Sequence, residues 1–539
     1  MLFLQLLSLL VAPAQILGHK AYPDRIAGAD GTGTSKCPSS DENLHDKQYA
    51  LKLGRRVSNA TPPPLEIEPL IVSGAITNRA DLVFFSDGYL PEERGKFIDD
   101  AMRLAQDISA NQTFYTVKPL LNFWAAFSPS NESGIGVGGK PKDTPFGLYR
   151  DGTELRAVYY SKEDVALAAC GSLGDQCDYA ILLGNDPLYG GLGGQFTVIT
   201  SSLANGPLVL RHELGHSIIE VGEEYDGGFA YFGPNAADTA DEPLPWAHWL
   251  TKPEANGTAR PERSVMPFQV YPWTILNTTA PWVLNFTSSG SFSRHLIRFS
   301  LSGLPEASDL KVELDGIDLG WVPKEDIGVD RWHYDIYRDE PLSGGTHQVA
   351  FTLVNKDREG VAQLCSAEGL EFGNEDEFNA TPGFYGAFPT YSDQNRTSYR
   401  PTNEDCLMRV VTATNFCKAC IEGLWLALLQ DINLIDNTTQ ACVTADNGTF
   451  ITLGVQLVPV GQFREAPSPT AETYEIMWQK DGRILESFTN KTSVRLDDSS
   501  DALGNYSVAV RFITEEVRVD PKEHLRDTAN FEVTKKCGA

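Results

Sequence analysis

The residues with the clearest capacity for chemistry are His212-Glu213-Leu214-Gly215-His216, an HExxH pattern. On a helix, His212 and His216 are four residues apart and lie on one face. Two neutral imidazoles so placed can hold one Zn²⁺, and Glu213 can serve as general base for a water that the metal activates. Zinc lowers the pKa of such a water to about 7. The pattern therefore predicts zinc-dependent hydrolysis of peptide bonds.

A catalytic zinc also needs a third protein ligand and an open fourth position. Glu223, seven residues beyond His216, is the first choice, because Gly222 can end the helix and let the chain turn back to the metal. The more distant His248 is expected to be structural. Spacing alone leaves three other acidic residues open as the third ligand: Glu220, Glu224 and Asp226.

Periodicity and punctuation predict the elements that position this helix. In chain order they are a buried strand over 80–85, a helix over 91–110, a buried strand over 178–183, an edge strand over 196–199 and the HExxH helix beginning near Pro207. An edge strand beside the metal can pair with an extended substrate backbone. This order suits a zincin fold.

The remainder of the chain reads mainly as β structure, in the α+β class. Period-two alternation predicts a β-rich insertion at about 290–360, residues 410–432 are predicted to be helical, and alternation returns after about 448. We therefore expect four segments: a signal peptide at 1–18, a polar leader and linker at 19–64, the catalytic unit at 65–435, and a C-terminal β-sandwich at 445–537.

Charge and chain ends restrict the partners and the location. With 44 Lys plus Arg against 72 Asp plus Glu, the net charge is −28, which disfavours nucleic acid as a partner. The apolar run at residues 2–11 is typical of a signal peptide and too short for a membrane span. The expected location is extracellular, with no membrane span.

Glycosylation sequons support a secretory route. Twelve are spread over the chain, at Asn59, Asn111, Asn131, Asn256, Asn277, Asn285, Asn379, Asn395, Asn437, Asn447, Asn490 and Asn505. They predict N-linked glycans.

Nine cysteines also fit an oxidising compartment. Cys170 and Cys177 can close a small loop, and six others can form further bridges of undetermined connectivity: Cys365, Cys406, Cys417, Cys420, Cys442 and Cys537. The Cys417-x-x-Cys420 pair can be read as a redox or zinc pair, but the extracellular context and the lack of a second CxxC favour disulfides. Cys37 lies before the dibasic pair Arg55-Arg56. One hypothesis is that the chain is cut after Arg56 and that the thiolate of Cys37 caps the zinc until this propeptide is removed. The alternative is a simple flexible leader.

Several motifs together make the chain similar to peptidase family M64, named after a bacterial immunoglobulin A peptidase. They cover roughly residues 65–430, and they are Asn78-Arg79-Ala80-Asp81-Leu82, Asp87-Gly88-Tyr89, Tyr189-Gly190-Gly191-Leu192-Gly193-Gly194, the HExxH run with Glu223-Glu224-Tyr225, Tyr399-Arg400-Pro401, Cys406-Leu407-Met408-Arg409, and Phe416-Cys417-x-x-Cys420. We expect a secreted member of fungal or other eukaryotic type.

The resemblance implies a metzincin-like zincin with an acidic third ligand at Glu223, where the family usually has Asp. The family also tends to have Gly three residues earlier, where this chain has Glu220. Met408 corresponds to the Met-turn residue that packs beneath the zinc. Met266, in Ser-Val-Met-Pro, competes for that role.

The sequence thus predicts a secreted zinc metallo-endopeptidase that acts on protein or peptide substrates. His212, His216 and Glu223 hold one Zn²⁺, and Glu213 is the general base. Tyr399 or Tyr225 can add a hydrogen bond to the developing oxyanion. The alternative is a zincin-fold glycoprotein without activity that works as a binding or adhesion module.

Overall fold

The computed structural model describes residues 58–110, 113–445 and 448–537. The predicted signal peptide, Cys37 and the Arg55-Arg56 pair lie outside the described residues. Helices and strands are mixed, with strands in the majority, which agrees with the α+β class at that level. No helix within the described ranges combines the length and apolarity needed to cross a bilayer.

The HExxH segment belongs to an N-terminal unit with one large sheet. Its elements are β1 (Glu66–Ile71), β2 (Ala80–Asp87), α1 (Arg94–Ala110), β3 (Leu121–Phe127), β4 (Leu148–Tyr149), β5 (Tyr159–Tyr160), α2 (Glu163–Gly171), β6 (Tyr179–Gly184), β7 (Gly191–Leu192), β8 (Thr197–Thr200) and α3 (Gly206–Leu214).

The large sheet has six strands in the order β1-β3-β2-β6-β8-β7. Its four central strands are parallel, and the edge strands β1 and β7 run antiparallel to their neighbours. Every residue of β2 is buried, as expected for a strand covered on both faces. The prediction that 196–199 is the edge strand is wrong: β8 is interior, and the glycine-rich β7 folds back along it as the edge.

The β-rich region begins earlier and ends later than the predicted 290–360. Its strands are β9 (Ser264–Val270), β10 (Thr274–Ile275), β11 (Trp282–Ser288), β12 (Arg294–Ser302), β13 (Leu310–Leu314), β14 (Ile317–Asp318), β15 (Trp332–Arg338), β16 (Gly345–Leu353) and β17 (Gln363–Phe372). They form a five-stranded and a four-stranded sheet. Phe299 of β12 and Phe351 of β16 meet across the shared core, with ring centroids 5.1 Å apart.

Between this β-rich region and the C-terminal unit lie a short hairpin and one helix. These elements are β18 (Phe388–Tyr391), β19 (Thr397–Arg400) and α4 (Lys418–Leu429). The helix predicted over 410–432 is therefore shorter than expected. It begins only after Cys417, which has extended backbone angles and is the N-cap residue.

The C-terminal unit consists of two facing sheets of three and four strands. Its strands are β20 (Ile435–Ala445), β21 (Gly448–Leu457), β22 (Glu472–Lys480), β23 (Arg483–Ile484), β24 (Ser493–Asp497), β25 (Gly504–Thr514) and β26 (Arg526–Val533). The Cys442–Cys537 disulfide ties β20 to the segment after β26.

The C-terminal unit packs directly on the N-terminal unit and on α4. Trp425 of α4 stacks near Phe512 of β25 at 5.2 Å between ring centroids, and its indole N–H donates to Glu516 at 2.6 Å. Arg79, beside β2, pairs with Asp436 of β20 at 2.6 Å. These contacts hold the helix behind the HExxH segment in place.

Candidate metal centre

Contacts with the core and with α1 fix the orientation of helix α3, which carries His212. Val209, Leu210 and Leu214 are buried in the main core. The buried guanidinium of Arg211 donates to the backbone carbonyl of Asp107 in α1 at 2.9 Å and pairs with the Asp107 carboxylate. This pairing fixes the rotation of α3, and hence the direction of the neighbouring His212.

The end of the helix differs from the prediction. A π-helical turn, Gly215–Ile219, follows α3 and carries His216. The helix ends at Glu220, whose φ of 59° lies in the left-handed region that favours glycine. The residue that departs from the family pattern thus occupies the position where a glycine fits best.

Gly222, the predicted helix breaker, has a different role. Its backbone pairs closely with the returning chain, since its N–H donates to the Phe232 carbonyl at 2.7 Å and the N–H of Glu223 donates to the Ala230 carbonyl at 2.8 Å. A Cβ at position 222 would lie 2.4 Å from the Ala230 oxygen. The glycine is needed for this close approach, which holds Glu223 in place.

The structure brings His212, His216 and Glu223 together. Nε2 of His212 lies 3.2 Å from one carboxylate oxygen of Glu223, and Nε2 of His216 lies 3.1 Å from the other. The two Nε2 atoms are 3.3 Å apart. One ligand atom from each residue lies within 4.8 Å of the others, an arrangement that can hold a metal ion.

The donor set fits zinc. Nδ1 of His212 donates to the Leu407 carbonyl at 3.2 Å, and Nδ1 of His216 donates to the Val221 carbonyl at 2.8 Å. A neutral ring with Nδ1 protonated presents its Nε2 lone pair to the shared space, and such outer hydrogen bonds are usual for metal-binding histidines. Two imidazoles and one carboxylate match a known class of catalytic zinc site.

The electrostatics of the site also favour a cation. Burial raises the pKa of Glu223, but His216 and His212 outweigh it and hold that pKa below its usual range. Burial lowers the pKa of His216, but the carboxylates of Glu223 and Glu213 outweigh it and raise that pKa to about 9. The cluster therefore attracts positive charge, whether a proton or a metal ion.

Glu213 lies beside this cluster and under the edge strand β7. A Cβ on Gly193 would lie 2.4 Å from Oε2 of Glu213 and 3.1 Å from Cδ2 of His216, and a Cβ on Gly191 would lie 3.4 Å from Oε1 of Glu213. Burial raises the pKa of Glu213. The glycine-rich edge thus leaves room for a carboxylate between the metal ligands and a strand that can bind substrate.

Two of the three alternative third ligands, Asp226 and Glu224, are engaged elsewhere. Asp226 pairs with Arg409 at 2.7 Å, with both side chains fully buried. Glu224 accepts a hydrogen bond from Asn235 at 2.9 Å and lies among three cysteines. Glu220 ends the helix. Of the four candidates, Glu223 alone belongs with the two histidines in a cluster among the described residues.

Met408, predicted to be the Met-turn residue, lies next to the π-helical turn that carries His216. Its sulfur would be 3.1 Å from a Cβ on Gly215, beneath the helix, and the preceding Leu407 supplies the carbonyl that orients His212. The turn is tight, since the N–H of Arg409 donates to the Cys406 carbonyl at 2.9 Å. The competing Met266 lies in β9 and packs against a separate core cluster.

Sequence reasoning missed the charged network behind the site. Arg409 also donates to the Glu224 carbonyl at 3.1 Å and lies 3.4 Å from Glu404. Glu404 in turn pairs with Arg298 of β12 at 2.6 Å. Arg409 in Cys-Leu-Met-Arg was the sequence signal for this network, because a charged residue next to a buried methionine needs a partner of opposite charge.

The remaining predicted residues have mixed positions. The Tyr225 ring stacks beside His212, with ring centroids 6.5 Å apart. Tyr399 lies in β19, where its backbone pairs with Ala237. His248 contacts Glu422 of α4.

Fold and site together define a protein of mixed helices and strands with an HExxH segment whose side chains could hold a metal ion. Residues 68–257 match the family described as IgA Peptidase M64, so the family predicted from the motifs is confirmed over this segment. The match includes the HExxH helix and Glu223 and ends before Met408. A match to this family suggests a metallopeptidase, and a peptidase implies a protein or peptide substrate.

Other comparisons add little. No curated protein matches the chain. Among solved structures, a family 35 carbohydrate binding module from an environmental isolate is 12% identical, with 22% of this chain and 86% of that chain covered and a TM-score of 0.16. A ruminal GH26 endo-beta-1,4-mannanase is 17% identical, with 21% and 23% covered and a TM-score of 0.14. These scores are too low to support an argument.

Proposed function

We propose that the protein is a secreted zinc metallo-endopeptidase. The observation that carries the proposal is the position of Glu213, next to the cluster of His212, His216 and Glu223 and beneath the edge strand β7. A binding module would need the metal cluster at most. A hydrolase also needs a base beside it, and this chain retains one.

The three clustered residues would hold Zn²⁺, which when bound supplies an activated water and polarises the scissile carbonyl. Glu213 accepts the proton of the attacking water and passes it to the leaving amine. The half-buried position of Glu213 limits competing solvent. Of the two tyrosine candidates for a hydrogen bond to the developing oxyanion, we favour Tyr225, whose ring stacks beside that of His212.

Strand β7 is our proposed platform for the substrate backbone. It is the last strand of the sheet on the side of the metal centre, and an extended peptide can add to such an edge by main-chain hydrogen bonds. Part of this edge is already engaged, because Gly191 forms a bridge with Ala157. The segment beyond Gly191, toward Gly193, is therefore the part that we propose pairs with substrate.

Two features support the proposed secretion. The Cys170–Cys177 and Cys442–Cys537 disulfides fit an oxidising compartment. Ten of the twelve sequon asparagines lie in the described residues, and all of these are exposed except Asn379, which is half-buried. Glycan attachment at these positions is compatible with the fold.

The test is cleavage of an unstructured protein by the purified secreted chain and by Glu213→Gln. Both proteins should retain zinc, and kcat/KM of the variant should fall by about 10²- to 10⁴-fold, the usual contribution of a general base. Glu242→Gln, at an exposed position, is the matched control and should be fully active. If the unaltered protein binds zinc and cleaves nothing, even after removal of residues 1–56, a binding role replaces this proposal.

A further inference from the structure

A second group of metal-binding side chains lies immediately next to the candidate metal centre. Glu224, Cys406, Cys417 and Cys420, which we call the cysteine cluster, place one ligand atom each within 4.8 Å of one another. All four residues are at most 2% exposed. The peptidase mechanism makes no use of them.

The distances between these atoms fit a tetrahedral zinc. The sulfur atoms of Cys406 and Cys420 are 3.9 Å apart, and the sulfur of Cys420 is 3.8 Å from Oε1 of Glu224. With Zn–S bonds of about 2.3 Å, ligand sulfurs at tetrahedral angles are about 3.8 Å apart. None of these three cysteines forms a disulfide within the described residues.

The carboxylate of Glu224 gives an independent indication that this cluster binds a cation. One oxygen accepts from Asn235, but Oε2 is buried and makes no hydrogen bond. A buried carboxylate oxygen without a partner is costly, and a metal ion removes that cost. A disulfide between any two of the three cysteines would leave both this oxygen and the third sulfur without a ligand.

The local backbone suits anionic sulfur. Cys417 is the N-cap residue of α4, where the helix N-terminus favours negative charge, and its N–H donates to the Cys406 sulfur at 3.3 Å. Cys417-x-x-Cys420 is also a spacing that structural zinc sites use. The sequence reading that favoured disulfides here did not include Cys406 and Glu224, which the fold brings in from outside the pair.

We propose that Glu224, Cys406, Cys417 and Cys420 bind a second, structural Zn²⁺ with four protein ligands and no open position. Binding requires the thiolate forms and releases the thiol protons. The ion would join the segment after the HExxH helix, the turn that carries Met408, and the start of α4. The proposal does not depend on the peptidase activity.

Zinc content and cobalt spectra of the full secreted chain test it. We expect two zinc ions per chain, falling to one in Cys417→Ser/Cys420→Ser and to one in His212→Ala/His216→Ala. With Co²⁺ in place of Zn²⁺, strong sulfur-to-cobalt charge-transfer absorption should appear in the unaltered protein. It should persist in the histidine variant and disappear in the cysteine variant.

Thiol counting separates the metal site from a disulfide. In a Cys37→Ser background, denatured and chelated protein should show the four thiols of Cys365, Cys406, Cys417 and Cys420. Two thiols, no charge-transfer band, or full zinc retention in the cysteine variant would each overturn the proposal. If the cysteine variant does not fold, the cobalt spectrum and thiol count of the protein with native cluster residues still decide the matter.

Discussion

Glu223 and Glu224 are adjacent in the chain, yet their carboxylates lie in two different kinds of site. Glu223 is 16% exposed and joins two histidines that are 10% and 19% exposed, with Glu213 beside them. Glu224 is fully buried among three cysteines. In an extended segment, successive side chains point to opposite faces, so one short stretch serves both.

The difference shows how one short segment can contribute one side chain to a reactive site and the next side chain to a stabilising site. Catalytic zinc sites keep a position open for water and substrate, whereas structural sites are closed by four protein ligands. The cluster of His212, His216 and Glu223 is partly accessible to solvent, whereas the cysteine cluster is buried. Changes on the Glu223 side should therefore affect catalysis, and changes on the Glu224 side should affect the fold.

The largest expected effect is that of Glu223→Gln. Losing the charged ligand should lower zinc retention at the open site and reduce kcat/KM by about 10³-fold or more, because the metal supplies both the nucleophile and the polarisation of the carbonyl. Glu224→Gln, the neighbouring control, should instead weaken the sulfur-to-cobalt absorption. If Glu224→Gln lost as much activity as Glu223→Gln and kept its absorption, the two carboxylates would not belong to different kinds of site.

Asp226→Asn should destabilise the protein by about 3 kcal/mol, because it leaves the buried guanidinium of Arg409 without its main partner. Urea unfolding measures this, with the exposed Asp241→Asn as control. Zinc content of the variant at low urea should stay at the unaltered level. Unchanged stability together with lost zinc would assign Asp226 to the open site as its third ligand.

Gly193→Ala should reduce kcat/KM by about 10²-fold, since the new methyl group would displace Glu213, and small misplacements of catalytic groups have effects of this size. Zinc content should be retained. Gly95→Ala in α1 is the matched control, because a Cβ there meets no atom within 4 Å. Full activity of Gly193→Ala would show that the base does not act from its present position.

The smallest effect is expected for Glu220→Gly, which should stabilise the protein by about 1 kcal/mol. Glycine relieves the left-handed conformation at φ 59°. Chemical denaturation of the metal-free protein measures the gain. A loss of stability would mean that the Glu220 side chain makes a compensating contribution.

The sequence was most informative where the relevant geometry is local. His212, Glu213 and His216 lie within about one and a half helical turns, so helix periodicity was enough to place the two histidines on the same face. Glu223 is separated from them by only a short loop. The central strands β2 and β6 were also foreseeable, because fully buried parallel strands are continuous apolar runs.

The features that were not predicted depend on contacts between distant segments. A glycine-rich strand such as β7 has weak strand propensity, and only its pairing with β8 reveals it as the edge. Likewise, Cys406 and Glu224 join the Cys417–Cys420 pair across long sequence separations. The position of Met408 was available only through its flanking motif, since spacing says nothing about a residue almost two hundred positions away.

The Cys442–Cys537 bridge has a consequence for the durability of the chain. It joins residues 95 positions apart and so encloses nearly the whole C-terminal unit in one covalent ring. A single cut in any loop of that unit leaves the two pieces linked, so the nicked protein keeps its mass until a reductant is added. The ring thus allows a cut in the C-terminal unit without loss of a fragment.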